Sequence, residues 1–400
     1  MNRFWTLLRQ TGPALILAAV VLGPGSLTLS TIAGSRYGYR LLWVVVLATL
    51  FMIAYTMMSA RIALVTKTTL LEAARRRYGR WPAAIGGIFG FLSIVAFQAG
   101  NSAAVGFSGH ALFGSDPRLW VLLMSLPAVA LILSPNLYTK LELLVRAVIL
   151  LMITGFVGTL VIVGTDTTEA IKGLVPSFPD QAAVFLALGM SATTFSIAAA
   201  AYQSYLMREK SWGPDELSTE GVDCLLGIAV LGSISAVVLL TSAGVLGHLQ
   251  TEILSAQTMA LQLEPVFGSA AFYLFICGFF FAGFSSLVVN PLIGAALLVD
   301  GFGRDCSMSG KPVRKWATLI LAIGCIIAAL FGQTPLELLR VAQALAIVAF
   351  PVLGFLIWAL ARDRSVMGSH RNSIWLDVFA GAGYLTIIGI CLNYVRQLIG

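Results

Sequence analysis

Two clusters of small polar residues set in apolar sequence are where this chain could do chemistry. Gly23-Pro24-Gly25-Ser26 interrupts the apolar stretch 14–35, and Ser191-Ala192-Thr193-Thr194-Phe195-Ser196 lies in the middle of the uncharged run 181–207. Pro24 has no amide hydrogen and clashes with the preceding turn, while two glycines release the backbone, so a helix cannot pass unbroken through 23–26. Peptide groups opened at membrane depth are tolerated only where protein or a cavity satisfies them. Gly23, Pro24, Gly25 and Ser26 are therefore the expected place where a solute is handled. The second cluster offers hydroxyls but no Gly or Pro to force a break, and hydroxyl bonds to carbonyls one turn back account for it equally well. Gln98 and Asn101 lie three apart, on one helical face, and as amides they can also hold neighbouring helices together. His110, His248 and His370 form no cluster and the five cysteines have no metal spacing, so neither a metal centre nor a disulfide framework is expected. No nucleophile, base and acid lie at one depth, which argues against an enzyme and against any cofactor.

The elements that must position these residues are apolar helices. Apolar residues make up 58% of the 400 and charged residues 11%, with a mean hydropathy of +0.91, far outside the soluble globular range. Eleven uncharged runs of eighteen residues or more follow one another: 10–35, 41–60, 81–115, 119–139, 147–165, 181–207, 224–251, 265–299, 316–336, 341–361 and 378–395. Each is long enough to cross a hydrocarbon core of about 30 Å as a helix. The sequence thus reads as an all-α polytopic membrane protein of about eleven transmembrane helices. A net charge of +7 raises the question of nucleic acid, but with the N-terminus inside, nineteen Lys and Arg fall in inside segments and six in outside ones. That asymmetry sets topology, N-terminus in and C-terminus out, and nucleic acid is not an expected partner.

Five spans precede the sixth, so span one and span six run in opposite directions, each opening a half with a polar or interrupted centre. The pattern is that of two inverted halves, 1–165 and 181–361, with an extra helix at 373–396. Pro291, after Asn290, reads as a kink in the eighth span. The segments 61–80 and 208–223 read as polar loops.

Several strings resemble the NRAMP family of divalent-metal transporters. Tyr138-Thr-Lys-Leu-Glu-Leu-Leu through Gly173-Leu-Val-Pro-Ser-Phe-Pro179 looks like that family's fourth-to-sixth helix region. Phe281-Ala-Gly-Phe-Ser-Ser is similar to its eighth helix, and Val366-Met-Gly to its tenth-to-eleventh connection. The resemblance implies a LeuT-type 5+5 inverted repeat with discontinuous helices 1 and 6, working by alternating access in the inner membrane. It implies a substrate pocket formed by Gly23, Pro24, Gly25, Ser26, Ala192, Thr194, Phe195, Ser196 and Gln343, with Gln98, Asn101, Ile197 and Tyr202 as supporting positions. At the functional positions the chain departs from the family. Asp-Pro-Gly-Asn of the metal-transporting members is here Gly23-Pro24-Gly25-Ser26. Their Met-Pro-His-Asn is Phe195-Ser196-Ile197-Ala198, and no Asp or Glu occurs between Glu72 and Asp116 to match the acidic pair on helix three.

A divalent cation stripped of water needs formal negative charge or many oxygens, and transition metals also favour sulfur or imidazole. The matched positions offer only hydroxyls, amides and carbonyls. The expectation is a secondary transporter whose family-level substrate is a divalent metal cation but whose site is reworked and free of carboxylates. A neutral or zwitterionic organic solute, or hydrated Mg²⁺, are alternatives. A non-transporting membrane sensor on the same fold, as in plant ethylene signalling, is the alternative of another class. The partners expected are a small solute or ion and the lipid bilayer, with one copy of the chain sufficing.

Overall fold

Gly23 is extended (φ −96°, ψ −179°) and Pro24 takes the first helical position, where its missing amide hydrogen costs nothing, so helix α1 starts there and covers Pro24–Tyr37. The computed structural model describes residues 23–134, 150–210, 212–247, 256–331 and 335–399. In chain order follow α2 (Leu42–Thr66), the short α3 (Leu70–Tyr78), α4 (Arg80–Phe113) and α5 (Pro117–Leu133), then α6 (Leu150–Val163). The second part holds α7 (Gln181–Thr194), α8 (Ile197–Glu209), α9 (Leu217–Val245), α10 (Ala271–Gly301), α11 (Lys311–Leu330), α12 (Pro335–Leu345), α13 (Phe355–Arg362) and α14 (Ile374–Ile399). The described residues contain no strand. Among the described residues, seven helical segments are long and apolar enough to cross a membrane, and three shorter apolar helices accompany them.

Several expected boundaries move. The loop expected over 61–80 is instead the last two turns of α2 followed by α3, whose Thr69 caps the start by accepting from the Glu72 amide. The loop expected over 208–223 ends at Leu217, so Glu220 and Asp223 lie buried on α9, with the Glu220 carboxylate accepting from the Cys224 thiol at 2.7 Å. Their acidity made them look like loop, whereas the hydrophobic stretch after them carries the helix back over them. Pro291, expected as a kink in the eighth span, lies inside α10, which is helical from Ala271 to Gly301. Between α12 and α13 the backbone tightens into a 3₁₀ turn over Ala346–Ala349 and then widens into a π turn over Phe350–Gly354 around Pro351. Ser134-Pro135-Asn136, a turn signal in the sequence, lies outside the described residues beyond Ser134.

Small residues bring the helices together. A β-carbon on Gly87 would come within 2.7 Å of the Leu297 carbonyl oxygen, and one on Gly301 within 2.8 Å of the Ala83 oxygen, so α4 and α10 cross almost backbone to backbone. On α1, Gly34 lets α9 approach so that a β-carbon there would lie 2.7 Å from Ser242 Cβ. Next to this contact Ser242 Oγ donates to the Thr31 carbonyl at 2.6 Å. At the Arg-rich end, Asp300 ties three elements. Its carboxylate accepts from Thr69 Oγ1 at 2.5 Å and Tyr205 OH at 2.7 Å, and Arg75 lies 3.6 Å away.

Candidate functional site

The sixth span of the sequence, 181–207, is broken. α7 ends at Thr194, Phe195 (φ −106°, ψ 70°) and Ser196 (φ −74°, ψ 99°) leave helical geometry, and α8 begins at Ile197. With neither Gly nor Pro at the break, its cause is tertiary. The Phe195 ring leaves the axis for an aromatic cluster, 5.1 Å from both Tyr55 and Phe350 and 6.2 Å from Phe51. Ser196 then caps nothing with its side chain. The break exposes the last carbonyls of α7 and the first amides of α8 at one level.

The start of α1 faces this break across a cavity lined by Gly23, Gly25 and Ser26 from α1, Thr193, Ser196 and Ala199 from the α7–α8 pair, Ile94, Phe97 and Asn101 from α4, and Ser286, Asn290 and Ile293 from α10. The α4 and α10 residues are spaced to share one face of each helix. Centres of water-sized bodies can occupy about 20 Å³, room for one or two monatomic ions or waters. Six of the lining side chains are polar and all six are neutral: Ser26, Asn101, Thr193, Ser196, Ser286 and Asn290. No acid, base, thioether or imidazole is among the lining residues, and the described residues hold no group of His, Cys, Asp and Glu able to hold a metal. Ser26 Oγ lies 3.0 Å from Ser235 Oγ of α9, and Thr193 Oγ1 donates to the Met190 carbonyl at 3.1 Å. Asn101 is 3% exposed and its Nδ2 has no hydrogen-bond partner.

Of the pocket residues expected from sequence, the structure brings together Gly23, Gly25, Ser26 and Ser196, with Pro24 buried at the first position of α1. Asn101, expected only as a support, lines the cavity itself. Ala192, Thr194 and Phe195 are buried beside the cavity and do not line it. The rotation that turns Phe195 into its aromatic cluster leaves Thr193 as the hydroxyl facing inward. Ile197 is core, and Tyr202 stacks on Tyr205 with centroids 5.7 Å apart. Gln98 also stays out of the cavity. Its Nε2 points at the Leu287 carbonyl, 3.4 Å away, and its chain packs where a β-carbon on Gly324 of α11 would sit 2.9 Å from Gln98 Cβ. Gln343 belongs to α12, but its side chain lies outside the described residues. Sequence reading missed Ser286 and Asn290. Their i, i+4 spacing on an apolar helix was a usable signal, masked by the kink expected at Pro291.

The model of the natural resistance-associated macrophage protein-like family matches residues 14–397. Among curated relatives, the divalent metal cation transporter MntH of Verminephrobacter eiseniae is 26% identical over 406 residues, covering 98% of this chain and 90% of the relative. That of Chromohalobacter salexigens is 28% identical over 382 residues, covering 92% and 87%. Among solved structures, a manganese transporter of Eremococcus coleocola superposes with a TM-score of 0.81 at 19% identity, covering 98% of this chain and 87% of that one. A nucleobase-cation-symport-1 family transporter in a closed conformation superposes at 0.57 with 12% identity, covering 97% and 92%. The architecture is thus the LeuT-type fold of a multi-pass membrane protein. With residues 14–397 matched by the family model, and the start of α1 meeting the α7–α8 break at one cavity, the chain belongs to the natural resistance-associated macrophage protein-like family.

Proposed function

We propose that this chain is a secondary transporter that carries a small inorganic cation, divalent as in the names of its relatives, by alternating access through a site without carboxylates. The observation that carries this reading is the cavity between the start of α1 and the α7–α8 break, with its six neutral polar side chains. Its volume favours an ion over an amino acid or other organic solute, since about 20 Å³ holds only one or two water-sized bodies. Its donors are hard oxygens, which suit a cation that keeps part of its water shell and do not suit a bare transition metal. The exposed carbonyls at the end of α7 and the hydroxyls of Ser26, Thr193, Ser196 and Ser286 are the groups that would face it. In the same reading the halves 1–165 and 181–361 are inverted repeats, the N-terminus is inside and the C-terminus outside.

Uptake into proteoliposomes tests the proposal. Saturable uptake of Mg²⁺ or Mn²⁺ by the purified chain, lost on Ser26→Leu, is expected. Binding of a cation without flux in either direction would replace the transporter reading with that of a membrane sensor. Mn²⁺ uptake tightly coupled to acidification of the lumen would overturn the carboxylate-free mechanism, because the matched positions carry no acid or imidazole to take the proton.

A further inference from the structure

At the Arg-rich end, one buried carboxylate gathers donors from two other elements. Asp300, 2% exposed near the end of α10, accepts from Thr69 Oγ1 and Tyr205 OH on the same oxygen, Oδ2, while Arg75 Nη1 lies 3.6 Å from Oδ1 and donates to the Asp300 carbonyl at 2.5 Å. Beside it the Leu70 amide donates to Ser204 Oγ at 3.0 Å. One end of α8 is thus tied to α3 and α10 by Ser204 and Tyr205, and its other end meets α7 at the non-helical joint Phe195-Ser196. A thirteen-residue helix jointed at one end and tied at the other is free to swing when the tie opens.

The tie stands between two spaces. Ala199 and Ile293 line the central cavity. Tyr202 and Tyr205 continue that face of α8, and Leu297 and Asp300 that of α10, at steps of three and four residues. Tyr202 and Leu297 are buried, so this seam is shut. Beyond it Thr69 and Tyr205 line a second cavity with Arg208, Glu209, Asp305 and Cys306, in which centres of water-sized bodies can occupy about 200 Å³. Both hydroxyls that hold the carboxylate therefore border a space where water can replace each bond as it breaks. A tie sealed in apolar core would instead orphan its donors and its charge on opening.

We propose that Asp300 is the latch of a gate: by holding Tyr205 and Thr69 it keeps the end of α8 against α10 and α3, and its release lets α8 pivot at Phe195-Ser196 and joins the central cavity to the second one. The second cavity carries the acids that the central one lacks, Glu209 and Asp305 against the single base Arg208, so a cation let through moves from a neutral wall to one with net negative charge. The seam as a cation path rests on the transporter reading above; the latch does not.

The test uses the full chain in detergent with either Cys306 or Cys325 kept as its single cysteine, and a maleimide as the probe. Cys306, 6% exposed on the wall of the second cavity, reports on the gate. Cys325 of α11, 4% exposed with its sulfur 3.6 Å from Ser102 Oγ, reports on opening of the whole fold. Tyr205→Phe keeps the ring and removes one bond to a charged acceptor, so Cys306 should label faster by about tenfold or more while Cys325 stays within about twofold. Asp300→Asn weakens every tie at once and should quicken Cys306 further, and Tyr205→Phe carries the test alone if that variant does not fold. An unchanged Cys306 rate in Tyr205→Phe would overturn the latch. Cys306 and Cys325 quickening together would overturn it in favour of a structural clamp. In proteoliposomes, maleimide fixed on Cys306 of the Tyr205→Phe chain should cut Mg²⁺ or Mn²⁺ uptake by about tenfold or more, and a cysteine-free Tyr205→Phe chain under the same treatment should keep its uptake. Uptake indifferent to the label would overturn the second cavity as the exit. Selective quickening of Cys306 with no cation flux in any chain would keep the latch and remove the transporter reading, so the two failures are told apart.

Discussion

Placing a carboxylate at the start of α1 should convert this cavity into a high-affinity divalent-metal site. Gly23 is the position for it, because it lines the cavity and sits at φ −96° and ψ −179°, extended backbone that an L-residue adopts without strain. In Gly23→Asp, a carboxylate about 4 Å from a divalent cation gains about 8 kcal/mol at an effective dielectric of about 20, twice the value for unit charges. Removing that carboxylate from water costs several kcal/mol, so the net gain is about 3–4 kcal/mol. This corresponds to about a 10²–10³-fold tighter Kd for Mn²⁺. Isothermal titration of purified wild type and variant with Mn²⁺ measures it directly, and Mn²⁺-dependent unfolding midpoints give a second reading through ligand linkage. A Kd within about threefold of wild type, in a variant that folds, would refute the idea that missing charge limits metal binding here.

Other positions give independent checks. Phe195 is 2% exposed among Tyr55, Phe350 and Phe51, so Phe195→Ala should cost about 3–5 kcal/mol and lower the unfolding midpoint while the cavity lining stays intact. Asp363 accepts from the Ser365 hydroxyl at 2.7 Å and Arg77 Nε at 2.6 Å, which hold its carboxyl down to about 2. Its folded value lies below the unfolded carboxylate value of about 3.9, so its contribution is present above that pH and fades as pH falls toward about 2. Acidification through that window should therefore lower the wild-type midpoint more than that of Asp363→Asn. Burial pushes the Cys306 thiol up to about 12. Maleimide labelling of a variant retaining only this cysteine should be slow at neutral pH in the native state and fast after unfolding.

How much of this was legible in the sequence divides along physical lines. The helix start at Pro24 was legible because it is local: a residue without an amide hydrogen, flanked by glycines, favours the first position of a helix over its interior. The break at Phe195-Ser196 was not, because no residue there forbids a helix. It arises where an aromatic ring finds three aromatic neighbours on α2 and beyond α12, contacts between residues far apart in sequence. Only the family resemblance placed a discontinuity there, and it aligned Phe195 with a pocket ligand although the ring turns into the core. The contribution of α10 was overlooked for another reason. Ser286 and Asn290 stood at helical spacing, but Asn290-Pro291 was read only as a kink signal, and the polar face that these two residues present to the cavity was passed over. Glu220 and Asp223 misled in the same way, since their charge suggested a loop where the packing of α9 buries them.

A site whose polarity comes from backbone ends rather than ionised side chains responds unusually to mutation. Deleting any one hydroxyl from the cavity removes a neutral contact worth about 1 kcal/mol, a change easily absorbed by its neighbours. The helix ends themselves cannot be deleted by substituting a side chain. Inserting a charge, by contrast, acts on a space where screening is weak and where no opposite side-chain charge lines the wall. Alanine scanning of Ser26, Thr193, Ser196 and Ser286 should therefore return small, scattered effects, whereas single carboxylates at Gly23 or Asn101 should switch ion dependence outright. A scan in which one hydroxyl to alanine abolished transport, while inserted carboxylates changed nothing, would mean that the site is built on that side chain and not on the facing helix ends.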